Sequence, residues 1–210
     1  MKKIGILLRD FESASGNEMY GFRSDLLAFL RKYKEIEVIT IPINFKNNEY
    51  DELERVEELI NSCNGIILPG GSNAYEIDLK IAKYLHEQNI PTLGICLGMQ
   101  ILSLAFDGDI AILKDNSHQS KEEYVHEVKL KRDSKIASIL KKNKILVNSR
   151  HNEHITTTDL NITAIAPDMT IEAVEDQNKK FFIGIQWHPE SLPNDIYSKR
   201  LFDYFINTLK

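Results

Sequence analysis

Residues 91–106 read PTLGICLGMQILSLAF, an apolar run that passes straight into a run of good helix formers through Gly94, Cys96 and Gly98. A strand that turns directly into a helix forces the residue at the bend out of the packed layer. Glycines two positions to either side remove the side chains that would collide there. The same bend sets the thiol at a helix N-terminus, where unpaired N–H groups and the macrodipole favour the thiolate. Cys96 therefore reads as an exposed nucleophile on an elbow. The other reading of this stretch alone is a small buried core residue, the commoner fate of a cysteine.

Outward from the elbow, short β-branched runs alternate with longer amphipathic segments, the pattern of βαβ units around a parallel sheet. KIGILL (3–8), VITIPI from Val38 and GIILPGG from Gly65 read as strands. Met19–Tyr33, with Phe22, Leu26, Phe29 and Leu30 at helical spacing, reads as a helix, as do DELERVEELI from Asp51 and the segment 76–88. After Gly108 the character changes: EEYVHEVKL, KILVNS, NITAIAPD, TIEAVED and FFIGIQW are short strands between turn signals, and Tyr197–Leu209 closes as a helix. Asp107–Lys121 shows little period and reads as irregular. The expected fold class is α/β, with a mostly parallel central sheet flanked by helices and a small antiparallel extension.

Composition narrows the function. The 210 residues include 42% hydrophobic side chains, enough for one large core, so residues 1–210 are read as a single domain. A formal net charge of −5, with Lys and Arg scattered among acids, argues against nucleic-acid binding. No apolar stretch reaches the roughly 20 residues needed to cross a bilayer. The opening MKKIGILLRD lacks a small-residue cleavage site and reads as a strand rather than a leader. Two cysteines without a C-x-x-C support neither a disulfide framework nor a zinc cage, and they point to a reducing cytoplasm. Cys63 has no base nearby and reads as structural. His86, His118 and His154 default to surface or core roles, since no pair shows helical metal-ligand spacing.

A nucleophile needs a base and a group to orient it. FFIGIQWHPES ends an apolar run in His188 and Glu190, whose i, i+2 spacing puts both on one side of an extended segment, where the carboxylate can fix the imidazole tautomer. The carboxyl ends of parallel strands share one edge, so Cys96 and His188 are expected to meet there. LPGGS (68–72) offers a side-chain-free turn after a strand. Its N–H groups suit an oxyanion, with the N–H of Leu97 as second donor. An ordinary turn is the plainer reading, and no G-x-G-x-x-G or Walker lysine supports a phosphate cradle.

PGG, GICLGMQ and QWHPE, in that order, resemble the class I glutamine amidotransferase superfamily, whose members use a Cys-His-Glu triad on γ-glutamyl amides. The resemblance spans nearly the whole chain and implies the flavodoxin-like glutamine amidotransferase fold. VNSRHNEHI, AIAPDMTIEAVED and IGIQWHPE resemble the gamma-glutamyl-gamma-aminobutyrate hydrolase branch. Carried over, Cys96 is the nucleophile, His188 the general base and acid, and Glu190 its orienting partner. Gly70 and Gly71 form the oxyanion turn with Leu97, Gln100 helps hold the γ-glutamyl group, and Ser149, Arg150 and His151 flank its α-carboxylate and amino group. A charged Arg150 or His151 adds complementarity there, although a solvated loop reads nearly as well. His126 matches a recurring histidine of the branch.

Two features depart from that branch. Leu97 stands where it usually has arginine, which makes GICLGMQ more like the ammonia-supplying glutaminases. Ser72-Asn73-Ala74-Tyr75-Glu76 also lacks the aspartate and proline that usually follow the Gly-Gly turn. The implied reaction is thioester-mediated hydrolysis of a small γ-glutamyl compound, without metal or organic cofactor. The expected partners are that substrate and, at the protein level, a second copy in a homodimer. The alternative is a glutaminase subunit feeding ammonia to a separate synthetase.

Overall fold

A computed structural model describes residues 1–44 and 49–209. The order is β1 (Lys2–Leu7), β2 (Arg9–Glu12), β3 (Glu18–Gly21), α1 (Ser24–Leu30), β4 (Ile36–Ile41), α2 (Glu49–Asn61), β5 (Gly65–Leu68), α3 (Glu76–Glu87), β6 (Thr92–Ile95) and α4 (Leu97–Ala105). There follow β7 (Asp109–Ile112), β8 (His126–Leu130), α5 (Lys135–Leu140), β9 (Lys144–Val147), β10 (Glu153–Thr157), β11 (Asn161–Ile165), β12 (Ile171–Glu175), β13 (Phe182–Ile185), a 3₁₀ turn (Pro189–Ser191) and α6 (Ile196–Thr208).

One nine-stranded sheet, ordered β4-β1-β5-β6-β13-β12-β11-β8-β9, carries the fold. The first five strands pair in parallel, and β12, β11, β8 and β9 extend the sheet antiparallel. Every residue of β5, β6 and β13 is buried, because helices cover both faces of the parallel half. Residues of α1, α5 and α6 fill one face, around Phe29, Phe181, Phe202 and Phe205. Those of α2, α3 and α4 fill the other. The α/β architecture and the helix–strand alternation follow the sequence pattern.

Three local readings are corrected. Met19–Tyr33 is not one helix: Glu18–Gly21 pairs antiparallel with Arg9–Glu12, and only Ser24–Leu30 is helical. The hairpin turns at Gly16, whose φ of +79° glycine tolerates, and Met19 lies 46% exposed, so it belongs to no buried helical face. Within Asp107–Lys121, β7 pairs with β10 as a separate two-stranded ribbon. Lys135–Leu140 forms a short helix, capped where the Ser134 hydroxyl accepts the N–H of Ala137 at 3.1 Å.

A buried ion pair ties the start of the β2–β3 hairpin to α3. Arg9 binds Asp78 through both guanidinium amino groups (Nη1–Oδ1 2.6 Å, Nη2–Oδ2 2.9 Å), and Asp78 also accepts the N–H of Tyr75 at 2.9 Å. Removing one partner leaves the other charge buried and uncompensated. Arg9→Met should therefore cost about 3–5 kcal/mol of stability, and Arg9→Met/Asp78→Leu should regain most of it, as read by urea denaturation.

Candidate active site

The elbow forms as its glycines require. Cys96 sits between β6 and α4 at φ +54°, ψ −108°, a conformation that L-residues rarely adopt. A Cβ on Gly98 would stand 2.0 Å from the carbonyl oxygen of Leu68, and one on Gly94 would stand 2.7 Å from the main chain of Gly98. Neither position admits a side chain. The elbow was expected to expose the thiol; instead Cys96 is buried, with 8% of the residue accessible. The glycine turn and His188 lie over it, and a Cβ on Gly70 would stand 3.0 Å from His188 Cε1 and 3.6 Å from Cys96 Cβ.

His188 follows β13, the parallel neighbour of β6, so the two strands deliver histidine and cysteine to the same edge. Its Nδ1 lies 2.7 Å from Glu190 Oε1, which leaves Nε2 as the ring nitrogen open to the thiol of Cys96, whose charge His188 also feels. Burial alone would lower the His188 pKa. The Glu190 carboxylate and the thiol of Cys96 outweigh burial and push it up to about 10. The imidazolium is thus the resting form, suited to pairing with a thiolate.

Of the remaining sequence candidates, the glycine turn and Leu97, the residue after Cys96, join this assembly. A Cβ on Gly71 would press on Leu97 Cδ2 at 2.9 Å and on Arg9 Cγ at 3.1 Å, so the turn lies against the first residue of α4. At that first helical position the N–H has no intrahelical acceptor. Gln100 is buried, and its amide donates to the carbonyl of Glu153 (3.2 Å) and to Gln186 Oε1 (3.3 Å). Ser149 and His151 are buried as well: Ser149 Oγ bonds His118 Nδ1 at 3.2 Å, and His151 Nδ1 bonds the carbonyl of Glu153 at 2.9 Å. Arg150 instead reaches Ser191 Oγ at 2.8 Å and lines a cavity of about 420 Å³ beside Glu190.

Two contributors were not foreseen from the sequence. Asn148, fully buried, clamps the main chain of His188: its Oδ1 accepts the His188 N–H at 2.7 Å, and its Nδ2 donates to the His188 carbonyl at 2.8 Å. An asparagine ending the apolar strand of ILVN was the available signal. Arg23 holds Asp25 at 2.9 Å, and Ser191 bridges Asp25 to Arg150. Burial would raise the Asp25 pKa, but Arg23 and Ser191 bring it below its usual value. Arg23 and Arg150 also line a second cavity, of about 560 Å³, with Gln119, Ser120 and Lys121.

A sequence profile of the Peptidase C26 family matches residues 74–190, more than half of the chain. The chain belongs to the Peptidase C26 family, within the class I glutamine amidotransferase superfamily. It is 30% identical to a CTP synthase of Levilactobacillus brevis, over 73% of this chain and 36% of that protein. A CTP synthase of Fibrobacter succinogenes is 31% identical over 73% of this chain and 34% of its own. The chain thus spans about a third of the length of these curated relatives. The glutaminase domain of Trypanosoma brucei CTPS, solved with bound acivicin, superposes with a TM-score of 0.75 at 19% identity, covering 99% of this chain and 93% of that one. Among the described residues no helix is long and apolar enough to cross a membrane.

The raised pKa of His188 gives a signed expectation. The His188 imidazolium persists below its raised pKa and is lost as pH rises through it, so a kcat/KM that depends on this proton should fall on the basic side only as pH nears 10. Glu190→Gln removes the charge that sustains the shift and should bring that basic limb down by about 1–3 pH units. It should also lower kcat less than His188→Ala does, because an orienting group is more replaceable than the proton carrier.

Proposed function

We propose that the chain is a cysteine hydrolase of small γ-glutamyl amides. The observation that carries this reading is the alignment of Cys96, His188 and Glu190 beneath a glycine turn where added side chains would crowd His188 and Leu97. The Cys96 thiolate attacks the γ-carbonyl, while the N–H groups of Gly71 and Leu97 donate to the oxyanion. Collapse of the adduct breaks the C–N bond as the His188 imidazolium protonates the departing amine, leaving a γ-glutamyl thioester. His188, now neutral, takes a proton from water; the hydroxide attacks the thioester, glutamate leaves, and thiolate and imidazolium are restored.

The surroundings favour an anionic leaving group. Arg23 and Arg150 line the cavity beside Glu190 and, with Lys121, a second cavity, and Arg23 feels the charges of both Glu190 and Cys96. An amine that carries its own carboxylate gains contacts there that ammonia lacks, and such contacts raise kcat/KM. A second reading has its own support. The CTP synthase relatives and the leucine after the nucleophile favour a glutaminase that releases ammonia to a synthetase partner.

Glutamate release by the purified chain should be measured with glutamine, γ-glutamyl-γ-aminobutyrate and γ-glutamyl-putrescine under matched conditions. The acid-bearing amide should give the highest kcat/KM. Arg150→Ala should lower that value about tenfold, one charge-assisted contact, and leave glutamine nearly unchanged. Cys96→Ala should abolish turnover in a folded protein. Glutamine as the best substrate, or inertness until a synthetase is added, would replace the hydrolase with the partner-dependent glutaminase.

A further inference from the structure

The antiparallel half of the sheet buries a second group of chemically capable side chains, outside the triad. His118 lies in the connection between β7 and β8, His126 opens β8, His151 follows β9, and Glu172 lies on β12. Glu172 is fully buried. Its Oε1 stands 3.5 Å from His118 Nδ1, 3.5 Å from His126 Nε2 and 3.7 Å from His151 Nε2. These distances are within ion-pair reach but longer than a hydrogen bond. Neither Glu172 oxygen, neither ring nitrogen of His126 and not Nε2 of His151 has a hydrogen-bond partner among the described residues. An ionised carboxylate placed so deep without donors is costly unless a cation shares the site.

The outward-facing nitrogens say which form the rings take. His151 Nδ1 faces the carbonyl of Glu153, an acceptor, so it carries the proton and turns the Nε2 lone pair toward Glu172. His118 Nε2 lies 3.0 Å from Asp168 Oδ2 and likewise donates, so that in the neutral ring the Nδ1 lone pair points inward. Two lone pairs and a carboxylate oxygen thus converge, and the three ligand atoms of His118, His151 and Glu172 all lie within 4.8 Å of one another. A proton shared between such groups would draw them to about 2.7–3.2 Å. A tetrahedral ion with bonds of about 2.0–2.2 Å instead holds its ligands about 3.3–3.6 Å apart, and it is usual for ligating histidines to donate their other N–H to a carboxylate or carbonyl.

We propose that His118, His151 and Glu172 bind one divalent metal ion of the zinc class, with His126 Nε2, 3.5 Å from Glu172 Oε1, beside them. Ser149 Oγ, 3.2 Å from His118 Nδ1, is the contact the ion displaces. With His118, His151 and Glu172 all buried, the site is closed and structural. The ion fixes the segment after β9, which presents Asn148 to His188 and Arg150 to the cavity beside Glu190, and it takes no part in the acyl transfer.

The test uses the tag-free Cys96→Ala chain, so that the active-site thiol cannot ligate metal, stripped with EDTA and titrated with Zn²⁺. Calorimetry and native mass spectrometry should show one equivalent bound, with a rise in Tm. Glu172→Gln should abolish binding. Asp168→Asn, at a half-exposed position that a folded chain tolerates, should weaken it about 10- to 100-fold through loss of the carboxylate behind His118. Absence of stoichiometric zinc, or unchanged affinity in Asp168→Asn, would overturn the proposal whether or not Glu172→Gln folds.

Discussion

The approach of α4 to the sheet sets the terms for everything else in the molecule. The carbonyl of Leu68 on β5 lies where a side chain at position 98 would begin, and the main chain of Gly98 lies where one at position 94 would begin. Only hydrogen atoms fit at either place. With the helix seated this low, the chain has no gentle path from strand to helix, and the bend falls on Cys96 at positive φ. A non-glycine residue held there costs on the order of 1–3 kcal/mol, which the surrounding packing sustains. The position of the thiol is therefore a property of backbone contact between two elements rather than of the cysteine's own preferences.

Charge is then brought to this fixed point from the side. At two places the protein buries ionisable groups where water does little to screen them and sets them in pairs: Glu190 against His188, Asp78 against Arg9. Inside the sheet such partners act at greater strength than on the surface, which is how Glu190 lifts His188 despite the opposing effect of burial. Arg9 serves two purposes, since its aliphatic stem packs against Gly71 while its guanidinium holds Asp78. The glycine turn is braced from beneath by the same pair that stabilises the fold.

What was readable in the sequence was what depends on neighbours in the chain. Cys96 between Gly94 and Gly98, and His188 two residues before Glu190, signal the elbow and the imidazole–carboxylate pair within a few positions. The buried runs of β5, β6 and β13 read as strands because both faces are covered. The helical spacing of Leu26, Phe29 and Leu30 is real, but extending it back to Met19 overlooked the turn at Gly16 and the pairing of Gly21 with Arg9. Lys135–Leu140 is too short to display a period. Asn148, Arg23 and the group around Glu172 were out of reach for another reason: each acquires its meaning only when strands distant in sequence are laid side by side.

Asn148 shows what such a tertiary contact permits. Past the end of β13 the chain still has main-chain groups to satisfy at His188, and an adjoining strand would ordinarily meet them. Here one amide side chain stands in for a peptide unit, offering an acceptor and a donor in the same pairing. The strand can therefore stop, and the histidine is free to bend toward the cysteine without leaving an orphaned N–H or carbonyl behind. The orientation of the acid–base residue is thereby separated from the architecture of the sheet. Its main-chain position leans on one replaceable side chain, Asn148, while Glu190 holds its ring, so the placement of the histidine can change while the scaffold that carries it stays as it is.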